Sequence, residues 1–240
     1  MLELSGVTKS FGGLLAVDDV SFAIDEAELV GLIGPNGAGK TTLFNTITGV
    51  MRPDAGEVVF DGRSITGKKP NEICNRGVAR TFQIVRTFDE STVYENVLIG
   101  AVFGPGEGGS MEDASERVER YLSLVGLEGK ADVHASDLTM AERKRVELAR
   151  VLACEPKLIM LDEIGSGLTP AEIDELTETI TTIREEFGIA VFWIEHVVEA
   201  IMGNTDRVLV LNEGELIAEG TPAAVRDDEA VTQAYLGDAV

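Results

Sequence analysis

The stretch GPNGAGKT, residues 34–41, decides how the rest of this chain is read. It fits G-x-x-x-x-G-K-[ST], directly after the apolar run LVGLI and directly before KTTLFNTITG, the strand, loop and helix setting that the pattern requires. Gly34, Gly37 and Gly39 let the backbone curl its N–H groups around phosphate oxygens, with Pro35, Asn36 and Ala38 filling the loop. A helix N-terminus at Lys40 adds a dipole worth about 0.3–1 kcal/mol toward an anion. Lys40 is then placed for the β- and γ-phosphates, Thr41 offers its hydroxyl to Mg²⁺, and Thr42 continues the first turn. The chemistry implied is binding of a nucleoside triphosphate.

A metal-binding P-loop needs a carboxylate at the end of a second buried strand. LIMLDE supplies Asp162 after four apolar residues, with Glu163 next to it. Asp162 suits the magnesium, and Glu163 suits orienting and polarising an attacking water. Strand-like runs recur at LELSGV, VSFAI, EVVF, KLIML, IAVFWI, DRVLVL and ELIAEG, several apolar on both faces as buried parallel strands are. PAEIDELTETITTIREEF, with Ile173, Leu176, Ile180 and Ile183 at helical spacing, joins KLIML to IAVFWI as a βαβ unit. MEDASERVERYLSLVGL and AERKRVELARVL make the middle of the chain helical, so a helical lobe is inserted into an α/β core. FGPGEGGS is expected to be a surface loop. No N-K-x-D segment accompanies the P-loop, so a guanine-specific reading fares poorly.

Composition narrows the classes further. The 240 residues are 44% hydrophobic and 26% charged, enough for one large α/β domain. No apolar run approaches the roughly 18 residues of a membrane span. MLELSGVTKSFGG has no basic segment followed by an apolar one, so no secretory signal is expected. Cys74 and Cys154 lack metal-ligand spacing and are expected to be buried thiols in a reducing compartment. Asp+Glu 42 against Lys+Arg 20 gives a net charge of −22, a field that repels nucleic acid and anionic lipid. Two origins of this acidity stand side by side: adaptation to a salty cytoplasm, and an ordinary acidic cytosolic protein.

On these residues the chain resembles, over nearly its whole length, the ATP-binding subunits of ABC transporters. The resemblance implies an α/β P-loop NTPase core with an antiparallel β part and an inserted α-helical subdomain. Residues 1–88 and 157–240 would form the core, and residues 89–156 the helical signature subdomain. It implies that Phe11 in KSFGG stacks on adenine, and that Gln83 in ARTFQ contacts magnesium and water. It also implies that His196 in WIEHV contacts the γ-phosphate. Catalysis would then rest on Glu163, His196, Lys40 and Gln83, with Thr41, Gln83 and Asp162 around Mg²⁺ and ATP as the nucleotide. GVARTFQ, TVYENVLIG, IEHVVEAIMGNTDRVLVLNEGELIAEGTP and AYLG are similar to the cytoplasmic ATPase of branched-chain amino-acid importers.

Where the family usually has L-S-G-G-Q, this chain has Leu138, Thr139, Met140, Ala141 and Glu142. The family pairs two such subunits head to tail, so Thr139, Met140, Ala141 and Glu142 would meet nucleotide held by the opposite chain. Thr139-x-x-Glu142 is also a capping box, which starts a helix without any ligand. Ile164 replaces the usual proline after the acidic pair, and Thr169 the usual aspartate of the next loop. The implied partners are transmembrane permease subunits, a second ATP-binding subunit in a homo- or heterodimer, and indirectly a solute-binding protein, with no nucleic acid. The implied location is cytoplasmic, peripheral on the inner face of the cell membrane. The permease contact is expected between Gln83 and Thr139, close to VRTFDESTVYENV. The competing class is a soluble ABC ATPase acting on nucleic acid or the ribosome, but such chains carry two ATPase units or a long coiled-coil insertion. A melting temperature that climbs steeply from low to molar KCl would select the salt-adapted origin of the charge, and a flat profile the ordinary one.

Overall fold

The computed structural model describes residues 1–83, 85–104, 110–195 and 197–237. The first half contains β1 (Leu2–Phe11), β2 (Leu14–Ile24), β3 (Leu29–Ile33), α1 (Lys40–Ile47), β4 (Ala55–Phe60), β5 (Arg63–Ser64), α2 (Pro70–Cys74), β6 (Val78–Arg80), α3 (Val93–Phe103) and α4 (Met111–Leu124). Then follow α5 (Met140–Leu152), β7 (Leu158–Asp162), α6 (Pro170–Phe187), β8 (Ala190–Ile194), α7 (Val198–Asn204), β9 (Arg207–Asn212), β10 (Glu215–Gly220), α8 (Pro222–Arg226) and α9 (Glu229–Gly237).

Two sheets result. An antiparallel sheet runs β2-β1-β4-β5, and a six-stranded sheet runs β10-β9-β3-β8-β7-β6, parallel except for β10. Strand alternation explains the layers. From β3, Leu29 and Ile33 join a core shared with α3 to α7, while Val30 and Leu32 join a second core shared with α1 and the antiparallel sheet. In β8, Val191 and Trp193 face the first core and Ala190, Phe192 and Ile194 the second. Every residue of β3, β7 and β8 is buried, which is why these strands are apolar runs instead of alternating ones. The strand β6 was not expected: three residues are too few to carry a periodic signal, and it exists because Val78, Ala79 and Arg80 pair with Leu158, Ile159 and Met160 of β7.

Helix starts follow local chemistry. Thr92, Ser110, Thr139 and Thr169 cap α3, α4, α5 and α6, each in a reciprocal box with an acid three residues on. Thr169, where the family usually has aspartate, therefore has local work as a cap, followed by Pro170 in the first turn. Two parallel-strand ends, those of β3 and β7, open toward α1, which sets the place of the cleft described next. Phe192 is fully buried, with ring centroids 4.9 Å from Phe44 and 5.5 Å from Phe22. It joins β8, α1 and β2 in one aromatic cluster. Phe192→Ala is expected to cost about 3–5 kcal/mol, read as a lowered urea midpoint with an unchanged slope.

Candidate functional site

The loop between β3 and α1 is shaped by backbone contacts that leave no room for side chains. A Cβ on Gly34 (φ 154) would lie 2.0 Å from the Leu211 carbonyl oxygen, and one on Gly39 (φ 101) 2.0 Å from that of Ala16. The Gly214 N–H donates to the Ala38 carbonyl at 3.0 Å, and the Ala38 N–H to Pro35 at 3.2 Å, so the turn is fixed from both sides. The α1 helix then begins with no side-chain cap and no acid in its first turn. Its leading N–H groups are left for an anion.

Lys40 folds back over this loop. Its Nζ donates to the Gly34 carbonyl at 2.6 Å and the Pro35 carbonyl at 2.9 Å. The residue is buried, and burial lowers its pKa against the pull of Glu163 and Asp162. Asn36, Gly37, Ala38, Gly39, Lys40, Thr41, Thr42, Gln83 and Glu163 surround a cleft of about 320 Å³, together with Ala16. The structure thus brings the P-loop, Gln83 and Glu163 together: the Gln83 amide donates to the Glu163 carboxylate at 2.5 Å, across 80 residues of sequence. Glu163 holds a left-handed backbone (φ 52), and its N–H donates to the Ile194 carbonyl at 2.9 Å. That pairing with β8 turns the side chain out of the strand.

Asp162 is buried at the end of β7. Its Oδ2 accepts from Arg80 Nη2 at 2.6 Å, and its N–H donates to Thr81 Oγ1 at 3.2 Å. Its Oδ1 is buried with no hydrogen-bond partner among the described residues. A buried carboxylate oxygen left open in this way is a fit for a hard cation.

Other expected residues lie apart. Phe11 does not line the cleft; it is 47% exposed beside the hairpin turn, with Lys9 Nζ 5.6 Å from its ring centroid. Ala16, on the opposite strand of that hairpin, lines the cleft instead. Thr139, Met140, Ala141 and Glu142 are likewise outside it. The Thr139 N–H donates to Glu142 Oε2 at 3.0 Å, the Glu142 N–H to Thr139 Oγ1 at 3.3 Å, and Glu142 Oε1 pairs with Lys130. Lys130 is the leading reason the Glu142 carboxyl lies below its ordinary range. Met140 is 57% exposed at the tip of α5. His196 lies outside the described residues.

Three connections had no sequence signal. Lys144, buried in α5, donates to the Ile164 carbonyl at 2.8 Å and also to that of Ser166, tying this helix to the loop after Glu163. Glu195, also buried, accepts from the Gly165 N–H at 2.5 Å and the Trp193 indole at 3.2 Å, and burial pushes its carboxyl up. Glu147 accepts from the Phe82 N–H at 3.2 Å, next to Gln83.

Residues 17–166 match the ABC transporter family, and residues 215–240 the branched-chain amino acid ATP-binding cassette transporter family. The high-affinity branched-chain amino acid transport ATP-binding protein BraF of Pseudomonas aeruginosa is 40% identical, covering 100% of this chain and 98% of its own length. The protein of the same description named LivG, from Escherichia coli K12, is 38% identical over the same shares. Among solved structures, an ATP-binding cassette of an ABC transporter in its ADP conformation superposes with TM-score 0.87 at 32% identity, covering 99% of this chain and 98% of that one. A dimeric cassette in a post-hydrolysis state bound to ADP and Pi gives TM-score 0.82 at 27% identity, covering 92% and 99%.

Glu147 generates a pH prediction. Burial pushes its carboxyl from the ordinary 4.5 up to about 7, against the opposing pull of Arg150, the Phe82 N–H, Arg86 and Lys144. A raised folded-state pKa means that the fold prefers the protonated acid. Its contribution to stability is complete below about pH 4.5 and is lost as pH rises through about 7. Glu147→Gln keeps an oxygen acceptor for the Phe82 N–H but cannot ionise. Its melting temperature should sit close to wild type at pH 5 and above wild type at pH 8.

Proposed function

Because the chain belongs to the ABC transporter family, we propose that it is the ATP-binding and hydrolysing subunit of an importer, coupling hydrolysis to uptake of branched-chain amino acids or a similar small solute. The observation that carries this reading is the convergence of Lys40, Gln83 and Glu163 on one P-loop cleft. The two full-length relatives and the carboxy-terminal match support the choice of solute. The net charge of −22 weighs against nucleic acid as the partner.

The nucleotide phosphates would take the place that the Gly34 and Pro35 carbonyls now hold on Lys40, since an ion pair between the ammonium and an anionic phosphate outweighs a hydrogen bond from the ammonium to a neutral carbonyl. The donor set of Thr41 Oγ1, Asp162 Oδ1 and Gln83 is all oxygen if Gln83 turns its carbonyl inward, and so suits Mg²⁺. Bound there, Mg²⁺ would screen charge on the β- and γ-phosphates. Glu163, which accepts from the Gln83 amide at 2.5 Å, would orient and polarise the attacking water. His196 is the proposed γ-phosphate contact, and Phe11 the proposed adenine contact.

Residues 89–156 are proposed as the signature subdomain of a head-to-tail dimer, with 1–88 and 157–240 as the core. Thr139, Met140 and Ala141 would present the start of α5 to nucleotide on the partner. Glu142 does not spoil this, because its carboxylate is held by its own cap and by Lys130. Lys144 makes α5 and the loop after Glu163 move together. Among the described residues no helix is long and apolar enough to cross a membrane, so attachment would be peripheral, through the permease. An apolar cleft of about 320 Å³ between core and lobe, lined by Val50, Ile73, Phe82, Ile99 and Phe103, is the proposed dock for a permease segment. Asp89, expected from the sequence to lie near that contact, pairs with Arg143 at 3.2 Å and so belongs to the internal fixing of α5.

Lys40→Ala should abolish tight ATP binding, since each charge-assisted contact is worth about 1.5–3 kcal/mol. Glu163→Gln should bind ATP, turn it over about a hundredfold to ten-thousandfold more slowly, and accumulate as a dimer with its partner subunit. Wild-type turnover in Glu163→Gln would remove the catalytic assignment.

The dock generates its own prediction. Phe103, 76% exposed at the end of α3, should tolerate Phe103→Asp with no loss of ATP affinity. In membranes the same variant should lose permease association and uptake together. Retained association would move the dock elsewhere.

A further inference from the structure

We propose that Arg80 is a positioning residue for Asp162, holding the carboxylate so that its buried Oδ1 stays unengaged by the protein and available to a cation at the phosphate site. The proposal rests on the nucleotide-site reading above and goes beyond it, because Arg80, three residues before Gln83 in ARTFQ, has no role of its own in that reading.

The guanidinium is used as a fork. Nη2 donates to Asp162 Oδ2 at 2.6 Å, while Nη1 donates to Asn45 Oδ1 at 2.6 Å and to Thr48 Oγ1 at 3.3 Å. One planar group therefore ties β7 to α1, the helix that carries the P-loop at its start. Its own backbone belongs to β6, in register with Met160 of β7, so the distance from Cα to carboxylate is set by a sheet ladder and not by a mobile loop. The guanidinium carbon lies 5.3 Å from the Phe82 ring centroid and 5.9 Å from that of Phe44, which restricts where the fork can turn.

The other side of Asp162 is arranged to match. Thr81, next to Arg80, accepts the Asp162 N–H through its hydroxyl at 3.2 Å. One carboxylate oxygen is thus occupied by Arg80 and the other, Oδ1, is buried without a partner among the described residues. A buried acceptor left unmatched is costly unless something else meets it. An ion pair serving only as a structural staple would instead engage both oxygens, as guanidinium and carboxylate commonly do. Here the second prong goes to α1.

Lysine cannot reproduce this. Its ammonium is a point charge that can meet Asp162 or Asn45 but has no rigid fork to hold both. The carboxylate could then rotate about its last torsion. Arg80 also lines the apolar cleft between core and lobe, so its hold on Asp162 is exerted from the wall of that cleft.

The test separates positioning from stapling through binding, not turnover. ATP affinity is measured by calorimetry on the full chain, once with Mg²⁺ and once with EDTA, for wild type, Arg80→Lys and Asn45→Ala. Loss of an outer-shell partner typically lowers metal affinity by about 10–100-fold. The Mg²⁺-dependent gain in ATP affinity should therefore fall by at least about tenfold in Arg80→Lys, and in the same direction in Asn45→Ala. Affinity in EDTA should stay within about twofold of wild type, because Lys40 and its loop are untouched. An unchanged Mg²⁺-dependent gain, or equal losses with and without Mg²⁺, would overturn the proposal and leave a staple. Asn45→Ala alone decides if Arg80→Lys does not fold. Failure of wild type to bind ATP under either condition would instead overturn the nucleotide-site reading.

Discussion

Charge buried at the end of a parallel strand has to be compensated, and the two carboxylates at the end of β7 are nearly inaccessible to water. Asp162 is met by Arg80 from β6 and Glu163 by Gln83 from the segment after it, while Lys40 lies close enough to feel both. This compensation makes the short strand β6 necessary. It delivers Arg80, Thr81 and Gln83 in sequence, with the first two reaching Asp162 and the third Glu163. The nucleotide cleft is what remains between that acidic strand end and the start of α1.

The helix starts show how the same polypeptide separates structural from ligand-facing ends. At α3, α4, α5 and α6 a hydroxyl and an acid close the first turn locally, so those ends need nothing from outside. Only α1 among these begins on a left-handed glycine with neither hydroxyl cap nor acid. Its first turn therefore has no side-chain partner of its own for the leading N–H groups, which suits an anion. The box at α5 is the informative middle case, because it occupies Glu142 while leaving Met140 and Ala141 at the tip. A capping role and a role toward a second subunit's nucleotide are therefore compatible at one helix end.

The contacts of α5 with the strand ends are similarly concrete. Lys144 reaches from α5 to the carbonyls after Glu163, and Glu147 from the same helix to the backbone beside Gln83. The helix α5 is thus tied to the backbone on both sides of the Gln83–Glu163 contact. The loop after Glu163 has Ile164 in place of the family's proline, and here that residue is buried while its carbonyl accepts from Lys144. The hydrophobic core that joins α3, α4 and α5 to the helices of the parallel sheet is continuous, so these helices are packed as one body with it.

The sequence by itself determined whatever is encoded within a turn or a strand. The P-loop, the apolar strands ending in Asp162 and Glu163, the helical periodicity of α6 and the hydroxyl-x-x-acid boxes are local patterns, and each names a backbone conformation. The tertiary structure alone decided which of these ends meet. Arg80 and Asp162 are 82 residues apart, Gln83 and Glu163 80 apart, and it is the strand order setting β6 beside β7 that puts each pair in contact. Ala16 enters the cleft, and Phe11 does not, because of the register of one hairpin against the P-loop. Spacing along the chain fixes contacts only over the reach of a single hydrogen-bonded turn; beyond it, position is set by which sheet edge and which core face a segment buries, and that is a property of the whole fold.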